Sequence, residues 1–430
     1  MKKEDFIDKI LNDLINSGSE IPYIKELKDD MNLISRKDRS LSEVLKSISE
    51  DIERYTIDFL SEKNKYDTSL IAGISNLIYL PDYSGDGSYI YKIIGGTRFR
   101  DGNELINEET LFDVASITKL YTLILTFKLE ELGLLNLNVK VSDINPDIQN
   151  LEDFTLNDLI RLCGELKTLG NIATASSYEE AYERLKTVYL VSNDRTKNKY
   201  TDFGALVLGD TIEKIVSNYF GRKMKFDEIM NEFLFKPLYI NNTTFTPKII
   251  NITGNTLNDG LPHDPKSRAL NGITGHAGLF TNSEEITKLA DGLFDKDYLN
   301  REHINRLGEI TFEGSPKGNL GIYVKSKNGW NDTYTPPEFS TGSFSHQGYT
   351  GGIAVFDPNN NIHNSILVNA IHDSNNLEEL KNNKPVGFMN YFGLYQSKIT
   401  KRIMLMYVAK KYYNKYCNVK DDINETKLIR

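Results

Sequence analysis

Cysteine is scarce: Cys163 and Cys417 are the only two in 430 residues, they follow no metal-ligand spacing, and they are too few for a disulfide framework. This excludes the small stapled secreted class and fits a reducing compartment. A basic surplus is also missing. With a formal net charge of −9, the composition offers no positive field to condense on phosphate backbones, so no nucleic-acid partner is expected. Long apolar runs are absent too. No window approaches the ~20 apolar residues of a spanning helix, and charges interrupt the opening run from Met1 to Ile10, leaving no hydrophobic region of an export signal. The expectation is a cytoplasmic chain. Repeats and low-complexity tracts are lacking, while 39% hydrophobic and 10% aromatic residues suffice for a packed core.

What is present is a change of periodicity along the chain. From residue 1 to about 63, apolar residues recur every three or four positions among many charges, as in Phe6, Ile10, Leu14 and in Leu41, Val44, Leu45, Ile48, Ile52. These are amphipathic helices. Residues 69–80 and 88–97 read as strands, with 82–87 as the hairpin turn between them. A long helix is expected from Ser116 through Leu132, stopped by Gly133. Further helices are expected at 156–162, 178–190, 203–216 and 226–235, with few strand signals between them. Then come a helix at 283–293, strands at 320–326, 342–346, 352–357 and 362–370, and a final helix at 397–416. Strands at both ends and helices between predict an α/β protein: an antiparallel sheet flanked by N- and C-terminal helices, with an inserted all-helical domain. The expected bounds are a helical extension at 1–40, an α/β domain at 41–115 and 260–430, and the insertion at 116–259, with the active site between the latter two.

Three short motifs carry candidate chemistry. Ser116-Ile117-Thr118-Lys119 is the one Ser-x-x-Lys of the chain. Chance alone supplies roughly one or two in a lysine-rich chain of this size, so its weight comes from placement: Ser116 in the first turn of a long helix, Lys119 one turn on along the same face. A neighbouring amine and the positive helix end favour an alkoxide-like nucleophile; the bland alternative is an N-cap serine with a solvated lysine. Tyr200-Thr201-Asp202 leads into an apolar helix with Asp202 as its N-cap. A phenol has an ordinary pKa of ~10, but beside a lysine its phenolate is favoured and can take the serine proton. Tyr239-Ile240-Asn241 competes but opens no helix. His346-Gln347-Gly348-Tyr349-Thr350-Gly351-Gly352 precedes an alternating strand; its small residues let a substrate lie close, and a main-chain N–H there can point into an oxyanion site. His276-Ala277-Gly278 has the same His-x-Gly form but reads as a loop.

A nucleophile at a helix start, a tyrosine in the helical insertion, then a His-x-Gly strand: in this order and placement the chain resembles the class C β-lactamase-related serine hydrolases, which include D,D-peptidases, D-aminopeptidases and esterases. The resemblance covers about 41–397 and also rests on Pro237-Leu238 with Thr243 and Phe245, on the run 272–281, and on Val368-Asn369-Ala370-Ile371-His372. It implies Ser116 as the acylated nucleophile, Lys119 and Tyr200 as the proton-transfer pair, and the amides of Ser116 and Tyr349 as the oxyanion hole. Asp202, His346, Gly348 and Tyr349 become substrate-binding residues, His346 standing where other branches carry lysine. No metal or organic cofactor is implied. Two departures matter. Asp202 replaces the Asn of many relatives, and Leu162-Cys163-Gly164-Glu165 lacks a His-Thr-Ser-Gly turn, so that wall of the cleft is rebuilt.

The expected function is hydrolysis of an ester or amide, D-peptide or β-lactam-like, through a Ser116 acyl-enzyme. The alternative, motivated by the two departures, is a penicillin-recognising binding or sensor protein with little turnover. The expected partner is a small-molecule or peptide substrate. Membrane contact by Lys398, Lys401, Arg402, Lys410, Lys411 and Lys415 ranks below packing of Ile399, Ile403, Met406 and Tyr407 on the sheet. The oligomeric state is left open.

Overall fold

The structure, a computed structural model, describes residues 3–35, 40–63, 69–81, 88–99, 102–192, 194, 196, 198–248, 260–294, 298–313, 315–326, 334–371, 388–416 and 423–429. The expected turn at 82–87, His372 and Cys417 lie outside them.

The strands β1 (Gly73–Leu80), β2 (Tyr89–Gly96), β3 (Tyr323–Val324), β4 (Phe344–Gln347), β5 (Ile353–Asp357), β6 (Ile362–Val368) and β7 (Ile423–Ile429) form one 7-stranded sheet, in the order β7-β2-β1-β6-β5-β4-β3. Side chains alternate between its faces. In β5, Ile353 and Val355 join one core while Ala354 and Phe356 join the other. The first core is covered by α3 (Leu41–Ser61) and α7 (Phe388–Tyr416), with α1 (Lys3–Asn16) and α2 (Ile24–Ser35) packed on α7. Ser40 and Glu43 start α3 with a reciprocal capping box. The second core runs from the sheet through α6 (Ser283–Phe294) into α4 (Thr118–Glu131) and α5 (Phe203–Phe220).

The α/β architecture and its mostly antiparallel sheet are as expected, with informative differences. β7 runs parallel to β2, with Ile423 opposite Tyr89. Its sequence Ile-Asn-Glu-Thr-Lys-Leu-Ile shows little apolar signal because an edge strand is paired on one side only and Thr426, Lys427 and Leu428 are exposed. The helix expected at 178–190 ends at Lys186, and Tyr189–Ser192 pairs antiparallel with Glu165–Lys167 as a two-stranded sheet inside the helical region. The run Thr187-Val188-Tyr189-Leu190-Val191 is rich in β-branched residues, which the helical reading underweighted. The strand expected at 320–326 shrinks to two residues, since Leu320 and Gly321 are left-handed at φ 49° and 80°.

The basic residues of α7 divide between surface and interior: Lys398, Lys401 and Lys415 are exposed, and several of the set make contacts within the chain. Lys398 and Arg402 lie over the Tyr55 ring, Lys401 over Tyr23, Arg402 Nε is 2.9 Å from Asp51, and Lys410 is buried. Ile399, Ile403, Met406 and Tyr407 are all buried. Among the described residues no helix is long and apolar enough to cross a membrane.

Leu45, 0% exposed in α3, sits in the core shared by helix and sheet. Leu45→Ala is expected to destabilise the fold by about 2–5 kcal/mol in urea unfolding; a loss below ~0.5 kcal/mol, as at an exposed site, would show that this layer is not closely packed.

Candidate active site

Ser116 sits in a short 3-10 turn, Ala115–Ile117, that runs directly into α4. The turn is under strain: Ala115 is left-handed at φ 45°, a conformation that costs a non-glycine residue about 1 kcal/mol or more. Neighbouring segments hold it there. Phe112–Asp113 pairs with Phe280–Thr281, Val114 N donates to Leu279 O at 3.1 Å, and Leu279 N donates to Thr118 Oγ1 at 3.3 Å. The Asp113 carboxylate accepts from Ala115 N at 2.9 Å and from His263 N at 2.6 Å. Burial pushes that carboxyl up to about 6, against the pull of those two amides.

One turn on, Lys119 is 0% exposed. Its Nζ donates to Ser116 Oγ at 2.8 Å, Asp202 Oδ1 at 3.0 Å and His276 O at 3.1 Å. Three donors meet three acceptors. Burial would lower its pKa, but the neighbouring Tyr200 and Asp202 outweigh burial and hold the ammonium above the ordinary lysine value. Tyr200 Oη is 3.3 Å from Ser116 Oγ, and Lys119 Nζ is 5.3 Å from the centre of the Tyr200 ring. Ser116, Lys119 and Tyr200 therefore lie together. Tyr239 is 68% exposed on a left-handed turn.

Asp202 does not cap its helix. Its backbone is already helical and no side-chain cap bond forms; Thr201 Oγ1 instead accepts from Phe203 N at 3.0 Å. The carboxylate goes to lysines: Oδ1 to Lys119, and Oδ2 to Lys266 Nζ at 2.9 Å. Lys266 lies 3.9 Å from Asp264, whose other oxygen is 2.9 Å from His276 Nε2. Burial opposes ionisation of Asp202, but Lys119, His276 and Lys266 hold it well below the usual carboxylate range. Asp202, Asp264 and His276 place ligand atoms within 4.8 Å of one another, a spacing open to a metal. Lys266 is the cation this chain provides there.

The third motif closes the site from β4. A Cβ on Gly348 would press against Val114 O, so this glycine lets the strand end lie against the turn that bears Ser116. Thr350 Oγ1 fastens the same stretch to Asp113 O at 2.6 Å. Tyr349 is 48% exposed, its ring stacked on His263 at 5.4 Å between centres. His346, expected as a substrate-binding residue, lies inside the fold. Its ring is buried, with Nδ1 2.9 Å from Gln347 O and Nε2 3.4 Å from Leu320 O.

Sequence reasoning missed Asp264, Lys266 and Gly321 and ranked His276 as a mere loop residue. Asp264-Pro265 was legible as a helix start, because Asp264 accepts from Ser267 N at 2.8 Å with Pro265 at the first helical position. Nothing local marks Gly321, against whose position the Tyr200 ring lies.

The class is that of a serine hydrolase on a β-lactamase-like α/β fold. A model of the Beta-lactamase family matches residues 83–383, and the chain belongs to that family. It is 26% identical over 343 residues to an N-acetylmuramyl-L-alanine amidase of Bacillus subtilis (strain 168), covering 67% of this chain and 76% of that protein. It is 25% identical over 347 residues to a protein of Escherichia coli (strain K12) named "Putative D-alanyl-D-alanine carboxypeptidase", covering 67% and 77%. Similar solved folds include EstCE1, a hydrolase with promiscuous acyltransferase activity (TM-score 0.61, 17% identity, 84% of this chain and 99% of that one). A D-amino acid amidase from Ochrobactrum anthropi SV3 gives 0.60 at 14% identity, covering 83% and 99%. A class C beta-lactamase gives 0.58 at 13%, covering 83% and 96%. At these identities the structural likeness concerns the fold.

Burial first, then the charge of Lys119, pushes the His346 pKa down to about 3, so the folded ring is neutral where the unfolded one, near the ordinary ~6.5, is protonated. Its contribution to stability is therefore complete above pH ~6.5 and is lost as pH falls towards 3, by up to ~1.4 kcal/mol per pH unit. In urea unfolding between pH 4 and 7, His346→Asn should show a flatter dependence than wild type; equal slopes would mean that the folded ring carries the proton.

Proposed function

We propose that the protein hydrolyses an ester or amide, such as a D-amino-acid peptide or a β-lactam-like bond, through an acyl-enzyme on Ser116. The observation that carries this reading is the convergence of Lys119 Nζ and Tyr200 Oη on Ser116 Oγ at 2.8 and 3.3 Å. A lysine already donating to three acceptors is a poor place for another proton. Tyr200, in its phenolate form, is then the base: as Ser116 Oγ bonds to the carbonyl carbon, the hydroxyl proton passes to Tyr200 Oη. The tetrahedral intermediate collapses, the bond to the leaving group breaks, and Tyr200 returns the proton to the departing nitrogen or oxygen. Water then attacks the Ser116 ester by the same route in reverse. Lys119 remains an ammonium throughout and compensates the negative charge that moves between Tyr200 and Ser116.

The amides of Ser116 and Tyr349 are the proposed oxyanion donors, a reading supported by the close approach of Gly348 to Val114. The names of the relatives favour amide bonds of D-amino acids or cell-wall peptides as the substrate class. The proposed substrate-binding surface includes Gly348 and the exposed Tyr349, and Asp202 acts through the ammonium of Lys119 with which it pairs.

Intact protein is expected to take up a fluorophosphonate on Ser116 and to turn over p-nitrophenyl butyrate. Ser116→Ala should abolish both, and Tyr200→Phe should lower kcat by ~10²–10⁴. A folded wild type that neither labels nor turns over would overturn the reading, and labelling without turnover of esters, D-peptides or nitrocefin would favour the sensor alternative.

A further inference from the structure

Tyr200 precedes its helix, and the residue is 43% exposed, so the helix alone does not fix the phenol. Two other segments grip the strip on which it stands. On one side Lys199 N donates to Leu162 O at 2.9 Å and Cys163 bridges to Asn198. On the other, Asn198 Nδ2 donates to Ser315 Oγ at 3.1 Å and to Lys317 O at 3.3 Å. Residues 318–322 then fold into a tight turn: Gly321 N donates to Gly318 O at 3.3 Å and Gly318 N to Ile322 O at 2.7 Å. Leu320 and Gly321 are both left-handed within it. The turn places bare backbone against the ring. A Cβ on Gly321 would fall inside the van der Waals shell of Tyr200 Cδ2 and Cε2, and beside Leu162 Cδ1. Lys317 Nζ lies over the same ring at 4.6 Å, and the His346 ring abuts the turn at Leu320 O.

We propose that the 317–321 turn is the backstop that aims the Tyr200 phenol at Ser116, making Gly321 a positioning residue of the reaction. The inference rests on Tyr200 being the proton carrier. A tyrosine with an exposed ring has several rotamers open to it, and a phenol swung away from Ser116 Oγ accepts nothing. The turn removes that freedom by occupying the space on one side of the ring. Only a glycine leaves enough room for the ring to sit this close to the turn. The departure at 162–165 fits the same picture, because the rebuilt turn supplies Leu162 O and the Leu162 side chain to the grip.

The test is a double-mutant cycle on p-nitrophenyl butyrate with the full chain: wild type, Gly321→Ala, Tyr200→Phe and the double variant, each checked for its melting transition. Gly321→Ala is expected to lower kcat at least tenfold with KM changed less than threefold. In the Tyr200→Phe background it should cost nothing further, since no phenol remains to be aimed. Wild-type kcat in Gly321→Ala, or losses that multiply in the double variant, would overturn the proposal. If Gly321→Ala does not fold, because a left-handed site resists any side chain, Asn198→Ala loosens the same grip and is judged by the same two criteria. Wild-type kcat in Tyr200→Phe would instead remove the proton-carrier role itself, a failure recognisable without Gly321.

Discussion

Lys119 is charged and fully buried, and a charge taken out of water costs several kcal/mol unless its donors are matched inside. The chain matches all three, with one acceptor close in sequence and two from distant segments: Ser116 in the turn just before α4, Asp202 at the start of α5, and the main chain of His276. No one segment could supply that set. The helical region, the 260–281 run and the nucleophile turn must all be in place before the ammonium is satisfied, so this group couples folding of the site to folding of the surrounding helices. The packing of the neighbouring backbone serves the same end. Thr122 Oγ1 holds Gly275 O at 2.7 Å, and Gly275 backs directly onto Ala205 and Gly209 of α5, where side chains would not fit.

The same constraint shapes the proposed chemistry. Had Lys119 kept a free lone pair it would be the natural base for Ser116. With its donors committed, the serine proton has Tyr200 Oη as the acceptor in reach. Positioning then shifts from the lysine, which is held on three sides, to the tyrosine, an exposed residue that needs outside support. Buried groups therefore gather on the α4 side of Ser116, and the exposed Tyr200 stands on the other.

How much of this was legible in the sequence follows from how local each signal is. Ser116 and Lys119 share one helical turn, so spacing alone placed them, and Tyr200 could be ranked over Tyr239 because it opens an apolar helix. The sheet was legible where apolar residues run together, as in β5, both of whose faces meet a core, and invisible in β7, an edge strand with little apolar surface to bury. Asp202 was misjudged for an energetic reason. As an N-cap it would contribute ~1 kcal/mol, whereas pairing with a buried ammonium spares the fold an uncompensated charge worth ~3–5 kcal/mol. Local rules see the first term only. Gly321 is the extreme case: its constraint is a ring more than a hundred residues away, and a single sequence carries no trace of it.

Asp202 and Lys266 are best understood as one unit. The two lysines flanking this carboxylate, at 3.0 and 2.9 Å, stand on opposite oxygens of one small group. That puts the two ammonium charges on the order of 5 Å apart, where an effective dielectric of about 20 makes their repulsion ~3 kcal/mol. An asparagine at this position would leave the repulsion unscreened, and an aspartate without Lys266 would leave one carboxylate oxygen of a largely buried group without its cation. The acidic residue at 202 is therefore tied to the lysine at 266, and through Asp264 to His276, in a row of alternating charges that ends on a buried imidazole. A substitution that looks like a change in substrate contact when the motif is read alone becomes, with its partners in view, a change in how the chain neutralises the ammonium beside its nucleophile.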